Sequence, residues 1–535
     1  MQNIPGRAPD ATDPPDGSGV PDVSVVVAVY NTMPYLTRCL TSLVGQSIGT
    51  GRIEIVAVDD GSSDGSGAEL ERFARLHPGV LTVVHQANSG GPAAPSNRAL
   101  DLARGRYVLF VGADDHLGPE ALERMVAAAD RLGSDIVLGR MVGVNGRWVS
   151  QAVYAESRDE VTLYESALPW ALSNTKLFRR ELIEEHGLRF AEDLPVLSDQ
   201  PFTLEACFRA GRITVLADYD YYFAVRRDDE TNATVSFRAL DRLTGTRRLF
   251  ELTRRMAGPG RGREWIHQRH FTWEVARLIS PEFLRLGADE QRQVCDGVGA
   301  LYRDYASPYA LKKLSDRQRL ILKLAGKGHV DAVRGVLTSE GHGGPPVVVD
   351  DERAYAGYPC FRDPGLGLPD AWFDITEVTR TRFAEQEFTP AETRLTETGL
   401  EIVARSSLAD LADFGAGVVR AETALERSGE RVVKAYDAAV AADGDGSVVR
   451  FTLPLSELFP HKDAPWERWS VRLVASALGE SPEVPVAPLP TEARVPRPRR
   501  HRMRPYGVGV ATPGASELRI TVRQLPVREL LRARS

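Results

Sequence analysis

At 535 residues the chain is too long for a single core, and two to four domains are expected. Hydrophobic residues make up 43% and charged residues 26%, as in ordinary soluble proteins, and a net charge of −7 argues against a nucleic-acid binder, which would be basic overall. No apolar run reaches the roughly 20 residues that cross a bilayer, and Met1 to Asp22 is polar and rich in Pro, Gly and Asp, unlike a signal peptide.

That first stretch, residues 1–22, reads as a disordered tail. Order begins with Val23-Ser-Val-Val-Val-Ala-Val-Tyr30, an apolar run suited to a buried parallel strand, followed by a helix carrying Tyr35, Leu36, Cys39, Leu40 and Leu43. Ile53 to Asp59, Leu81 to His85 and Tyr107 to Val111 read as further strands, with helices from about Gly67 to Leu76 and Ala93 to Ala103 between them. This alternation predicts a Rossmann-like α/β domain with a mostly parallel sheet. Ligands of such sheets bind outside the C-terminal ends of the strands. Three polar clusters fall there: Tyr30-Asn31, Asp59-Asp60 and Asp114-Asp115.

From about Phe237 the texture is helical, and residues 237–330 hold 19 Lys and Arg against 10 Asp and Glu, a local charge of +9. Arg247-Arg248 and Arg254-Arg255 lie seven residues apart, so both pairs project from nearly one helix face. Pro345-Pro346 marks the next boundary. Beyond it, alternating stretches at 395–405, 418–423, 432–436, 448–453, 469–475 and 518–522 predict an antiparallel, Ig-like β-sandwich. The expected parts are therefore residues 23–236, 237–345 and 346–535. Cys39, Cys207, Cys295 and Cys360 show no CxxC or CxxH spacing, so neither a zinc site nor a disulfide framework is expected, and the chain reads as cytoplasmic. His85, His116 and His186 read as isolated surface or loop histidines.

Transfer of a sugar from a nucleoside diphosphate requires a held nucleotide, a neutralised diphosphate and a base for the acceptor hydroxyl. Asp114-Asp115 after a buried strand could supply a metal-binding carboxylate and a partner for a ribose hydroxyl. The strings Ser24-Val-Val-Val-Ala-Val-Tyr-Asn31, Leu40-Thr-Ser-Leu-Val-Gly-Gln46, Val58-Asp-Asp-Gly-Ser-Ser-Asp64 and Gly105-Arg-Tyr-Val-Leu-Phe-Val-Gly-Ala-Asp-Asp-His-Leu-Gly-Pro119 resemble family 2 glycosyltransferases of the GT-A fold over residues 23 to 235. The resemblance implies that Asp60 bonds the nucleotide base, Asp114 the ribose, and Asp115 a Mn²⁺ or Mg²⁺ ion at the diphosphate. Val29, Tyr30 and Asn97 would line the nucleotide pocket. Many relatives carry an earlier Asp where this chain has Gly112, and metal binding is then left to Asp115.

The segment Leu188-Arg-Phe-Ala-Glu-Asp-Leu-Pro-Val-Leu-Ser-Asp-Gln-Pro-Phe202 resembles the family's Glu-Asp-x-x-Phe motif, with Ser198 in place of the Glu. The match implies Asp199 as the catalytic base of an inverting attack, with Asp193 as the alternative. Residues 221–236 resemble the loop that closes over the donor, where Arg226 or Arg227 would reach the diphosphate. The order of parts, with Arg502 to Tyr506 and Glu517 to Val522 near the end, resembles bacterial enzymes that decorate wall teichoic acids, including poly-ribitol-phosphate N-acetylglucosaminyltransferases. That likeness implies a UDP-sugar donor, a polyanionic glycopolymer acceptor and a homotrimer formed through the sandwich. The basic helical segment suits such a polymer or the anionic inner face of the cell membrane. A glycosyltransferase building another extracellular or capsular polysaccharide, a nucleotidyltransferase and a non-catalytic glycan-binding protein on the same fold stay open as other readings.

Overall fold

A computed structural model describes residues 19–227, 238–350, 352–386, 388–395, 399–414, 418–427, 430–443, 446–458, 466–478, 483–486, 493–494, 499–501, 504–510 and 518–524. The 1–18 part of the expected tail, residues 228–236 of the expected donor loop, Phe237, and Arg502, Met503 and Glu517 lie outside the described residues. The chain forms two compact units, one ending at Val333 and one beginning at Arg334.

The first unit opens with β1 (Val23–Val29), α1 (Tyr35–Val44), β2 (Ile53–Asp59), α2 (Ser66–Leu76), β3 (Leu81–His85), α3 (Ala93–Leu102) and β4 (Tyr107–Phe110). The four strands lie in the order β3-β2-β1-β4 and are parallel throughout. Central β1 and β2 are buried on both faces, which is why they read as largely apolar runs. Register sets the tips level, with Val29 opposite Asp59. Ser24, polar within β1, donates to Glu54 and receives the Gly105 amide at 2.7 Å, and a Cβ on Gly105 would meet the Ser24 nitrogen at 2.5 Å. Only glycine allows that approach.

The chain then runs through β5 (His116–Leu117), α4 (Ala121–Leu132), β6 (Ile136–Gly139), β7 (Met141–Val144), β8 (Leu177–Arg179), α5 (Arg180–Glu185), α6 (Asp199–Arg209), β9 (Ile213–Leu216) and β10 (Tyr222–Val225). Strand β8 inserts antiparallel between β4 and β6, extending the sheet to β9. A separate small sheet, β5-β10-β7, crosses over the tip of β4. Pairing with β10 buries His116, whose ring stacks on Phe223 at 4.7 Å. His116 is therefore a buried strand residue, in contrast to the surface position expected of it. His85 is half-exposed and sits between Asp59 and Glu71.

Helices α7 (Ala239–Met256) and α8 (Arg261–Arg269) follow, and α8 runs into a π-helical turn, His270–Val275, and then α9 (Ala276–Leu278). Helices α10 (Ala288–Tyr305), α11 (Asp316–Gly326) and α12 (Val330–Gly341) complete the helical segment. The compact units divide inside α12, ahead of the expected boundary at Pro345-Pro346. The second half of that helix has its neighbours in the second unit: Gly335 lies beside Pro359, and Glu340 receives the Tyr358 hydroxyl.

In the second unit, strands Phe388–Leu395, Leu400–Ser406, Gly446–Leu453 and Ala439–Asp443 form one antiparallel sheet in that order. A second sheet runs Glu430–Asp437, Val419–Arg427, Trp466–Ala475, Arg519–Gln524, Arg504–Val510. Residues of both sheets, among them Ile402, Phe451, Trp469, Val471 and Ile520, share one apolar core. The expected stretch at 395–405 is the second arm of a hairpin, with Leu395 closing the arm before it. All four cysteines are buried and free.

Candidate active site

The tips of β1, β2 and β4 open onto a cleft of about 730 Å³ whose lining includes Val29, Tyr30, Asn31, Asp60, Gly112, Asp114 and Arg227. Tyr30 is half-exposed, and Asn31 takes a left-handed conformation (φ 48°) that lets its side-chain oxygen accept from the Ser63 amide at 2.8 Å. Asp60 is buried and accepts from the Gln86 amide group at 2.6 Å and from the Ser89 backbone and hydroxyl. A carboxylate held so firmly is a fixed acceptor for a ring N–H.

Asp115 lies beneath the cleft, buried and outside its lining. Its carboxylate accepts from the Tyr222 hydroxyl at 2.6 Å and the Val225 amide at 2.8 Å, and the Gly112 amide donates in turn to Tyr222 Oη at 3.0 Å. Burial, then the Asp114 charge, raises its proton affinity. A Cβ on Gly112 would lie 2.7 Å from Asp115 Oδ2. Because that oxygen is pinned from β10, the missing side chain at 112 is a condition of the arrangement and not merely a lost ligand. Asp114 is ion-paired with Arg227 at 2.9 Å, and Arg227 also donates to the Asn31 carbonyl at 3.2 Å. Arg226 is exposed and lies outside the lining. Of the two candidate arginines, the fold brings Arg227 to the cleft.

Asn97 does not reach it. The side chain is buried on α3, donating to the Phe190 carbonyl and to Glu192 and accepting from the Phe190 amide at 2.9 Å. It anchors the segment leading to Asp199 instead of lining the pocket. Asp199 begins α6, with Ser198 buried before it. Its carboxyl is pushed up to about 6, first by burial and then by the Glu274 charge, against the opposing pull of Lys176 and of backbone N–H groups. Asp193, the alternative, is exposed and ion-paired with Arg248 at 2.9 Å.

Three residues of this neighbourhood escaped the sequence reading. Tyr222 falls in the stretch 221–236 read as a loop over the donor, whereas its first part, Tyr222–Val225, is strand β10. Lys176 is buried in a short polar loop before β8, and burial lowers its ammonium to about 8. Glu274 is fully buried in the π-helical turn, bonded to Arg269 at 3.1 Å, Arg242 at 3.3 Å and Gln200 at 3.1 Å. A lone charge in a helical stretch carries no signal of what it will face.

Residues 24–187 match the sequence model of glycosyl transferase family 2, and residues 243–336 match that of the glycosyl transferase TarS linker domain. The structure of residues 1–349 of S. aureus TarS in complex with UDP-GlcNAc is 30% identical, with a TM-score of 0.56 over 65% of this chain and 98% of that one. The chain belongs to glycosyl transferase family 2. Its GT-A domain, with β1 to β10, is followed by the linker helices and the antiparallel sheets. The S. aureus TarS structure, 23% identical with a TM-score of 0.58, repeats this fold over 95% of this chain and 86% of its own. The poly(ribitol-phosphate) beta-glucosyltransferase of Bacillus spizizenii is 39% identical over 208 residues, 39% of this chain and 33% of that protein. The matched region thus spans about a third of that curated relative's length.

Proposed function

We propose that this family 2 enzyme moves a hexose or N-acetylhexosamine from a UDP-sugar to a hydroxyl of an anionic cell-wall glycopolymer, with inversion at the anomeric carbon. The observation that carries the reading is the convergence of Asp60, Asp114 and Arg227 on one cleft with Asp115 pinned beneath it. The relatives' names, a poly(ribitol-phosphate) glucosyltransferase and TarS with UDP-GlcNAc, support donor and acceptor class.

Among the described residues no group of three or more His, Cys, Asp or Glu gathers around one point. Two adjacent carboxylates fit Mn²⁺ or Mg²⁺ held mainly by substrate phosphates, the usual mode of magnesium. Asp115 is the residue that would hold it, and the ion would neutralise charge on the departing diphosphate. Asp60 takes the base, and Asp114 the ribose once Arg227 turns toward phosphate. Asp199 accepts the proton of the acceptor hydroxyl as its oxygen attacks the anomeric carbon opposite the leaving nucleotide.

Incubation with UDP-sugars tests this. Free UDP and a glycosylated phosphopolymer are expected, with EDTA abolishing turnover and Mn²⁺ or Mg²⁺ restoring it. Sugar 1-phosphate as product would instead mark nucleotidyl transfer, and nucleotide binding without turnover a non-catalytic protein.

A further inference from the structure

Trp148 is 68% exposed, an expensive position for an indole. It follows β7 and lies against Trp273 with ring centroids 5.5 Å apart and planes tilted by 33°. The Arg277 guanidinium stacks on Trp273 at 4.9 Å. Trp273 belongs to the π-helical turn, a local widening that proteins keep most often where it serves a site.

Both ends of this aromatic pair are tied to the chemistry. Arg147, next to Trp148, donates to the Val225 carbonyl at 3.0 Å, and the Val225 amide holds Asp115. Glu274, next to Trp273, receives Gln200 at 3.1 Å, and Gln200 follows Asp199. Trp273 is thus joined to the base carboxylate's helix through a single side-chain hydrogen bond, from Gln200 to Glu274. A growing or decorated polymer must deliver one hydroxyl to Asp199 while its neighbouring units run out across the surface.

We propose that Trp148, Trp273 and Arg277 form a shelf that binds the acceptor polymer beside its reacting unit. This rests on the reading of the acceptor as an anionic glycopolymer. Indole faces pack against the C–H faces of sugar or polyol units. An arginine stacked through its flat face keeps its N–H edge for a phosphodiester oxygen. The pairing of rings with a guanidinium matches a chain that alternates polyol and phosphate.

The test uses the full-length protein with unglycosylated poly(ribitol phosphate), reading UDP release at saturating donor. Trp148→Ala and Arg277→Gln should each raise the polymer KM roughly tenfold, equivalent to about 1.4 kcal/mol. Trp148→Phe should restore part of the loss, and the donor KM should move less than twofold. A single ribitol phosphate unit, too short to reach the shelf, should show little difference between variants. An unchanged polymer KM in an enzyme that does glycosylate the polymer removes the shelf alone. So does an equal loss with the single unit, or a loss confined to binding of phosphatidylglycerol vesicles. If the unaltered protein releases UDP but glycosylates no phosphopolymer, the acceptor reading falls and the shelf with it.

Discussion

Tyr222 touches Asp115 through a 2.6 Å hydrogen bond inside the protein, and the same hydroxyl receives the Gly112 amide. Replacing it with Phe removes the donor without changing the ring, so the fold should persist while the carboxylate loses one of its two anchors. Removal of such supporting bonds commonly costs about 10–100-fold in metal affinity. Tyr222→Phe should therefore need that much more Mn²⁺ for half-maximal donor hydrolysis, read from a metal titration, with an unchanged thermal midpoint within a few degrees. Asp199 makes a second residue-scale prediction. A base works only when ionised, and burial with the Glu274 charge raises this carboxyl to about 6. Turnover should fall with unit slope as pH drops below about 6, because the protonated fraction grows there. Glu274→Gln removes a raising charge and should move the acid limb to lower pH. Lys176→Met removes a lowering charge and should move it to higher pH. Opposite shifts from two buried substitutions cannot come from general loosening, and identical shifts would reject Asp199 as the titrating base.

At the scale of elements, α7 divides its arginines by task. Arg248 pairs with Asp193 and Arg255 with Glu205 at 3.6 Å, tying the helix to the segment around α6. Arg254 lies over the Tyr305 ring, and Arg247 is exposed beside it. The second arginine of each pair thus sits in an ion pair with the segment around α6. A polyanion bound along Arg247 and Arg254 releases counterions, so its affinity weakens with salt. Arg247→Gln with Arg254→Gln should raise the polymer KM and flatten its salt dependence by up to two charges' worth of slope. Arg248→Gln with Arg255→Gln should instead lower thermal stability, by about 1 kcal/mol or less because these pairs are largely exposed. Measurement of KM against salt for the two double variants separates the roles.

For the whole molecule, the proposed homotrimer finds a specific candidate contact. Strand Glu430–Asp437 is an edge of the larger sheet and carries exposed Val432 and Val433. An edge strand with exposed apolar side chains is open to pairing with another copy unless charge blocks it. Light scattering on the full chain should give a trimer, and Val432→Lys with Val433→Lys should shift it toward monomer while UDP release from donor continues. A monomeric unaltered protein would remove the proposal. No helix among the described residues is long and apolar enough to cross a membrane.

The parallel core was legible in the sequence because its strands are buried on both faces, so Val23–Val29, Ile53–Asp59 and Tyr107–Phe110 read as apolar runs, broken before their polar tips only by Ser24 and Glu54, which bond each other. Those tips lie together by the connectivity of the fold, and so Asp60, Asp114 and Asp115 could be grouped before any coordinate was known. Tertiary structure alone decided what the three-dimensional neighbours of those residues are. It set Tyr222 under Asp115, took Asn97 away to Phe190, chose Arg227 over Arg226, and put Glu274, 75 positions downstream of Asp199 in sequence, beside its helix. Periodicity reports which face of an element is buried, because burial repeats with the turn of the backbone. A single polar contact between distant elements leaves no such period, and its partners are fixed only when the whole chain has packed.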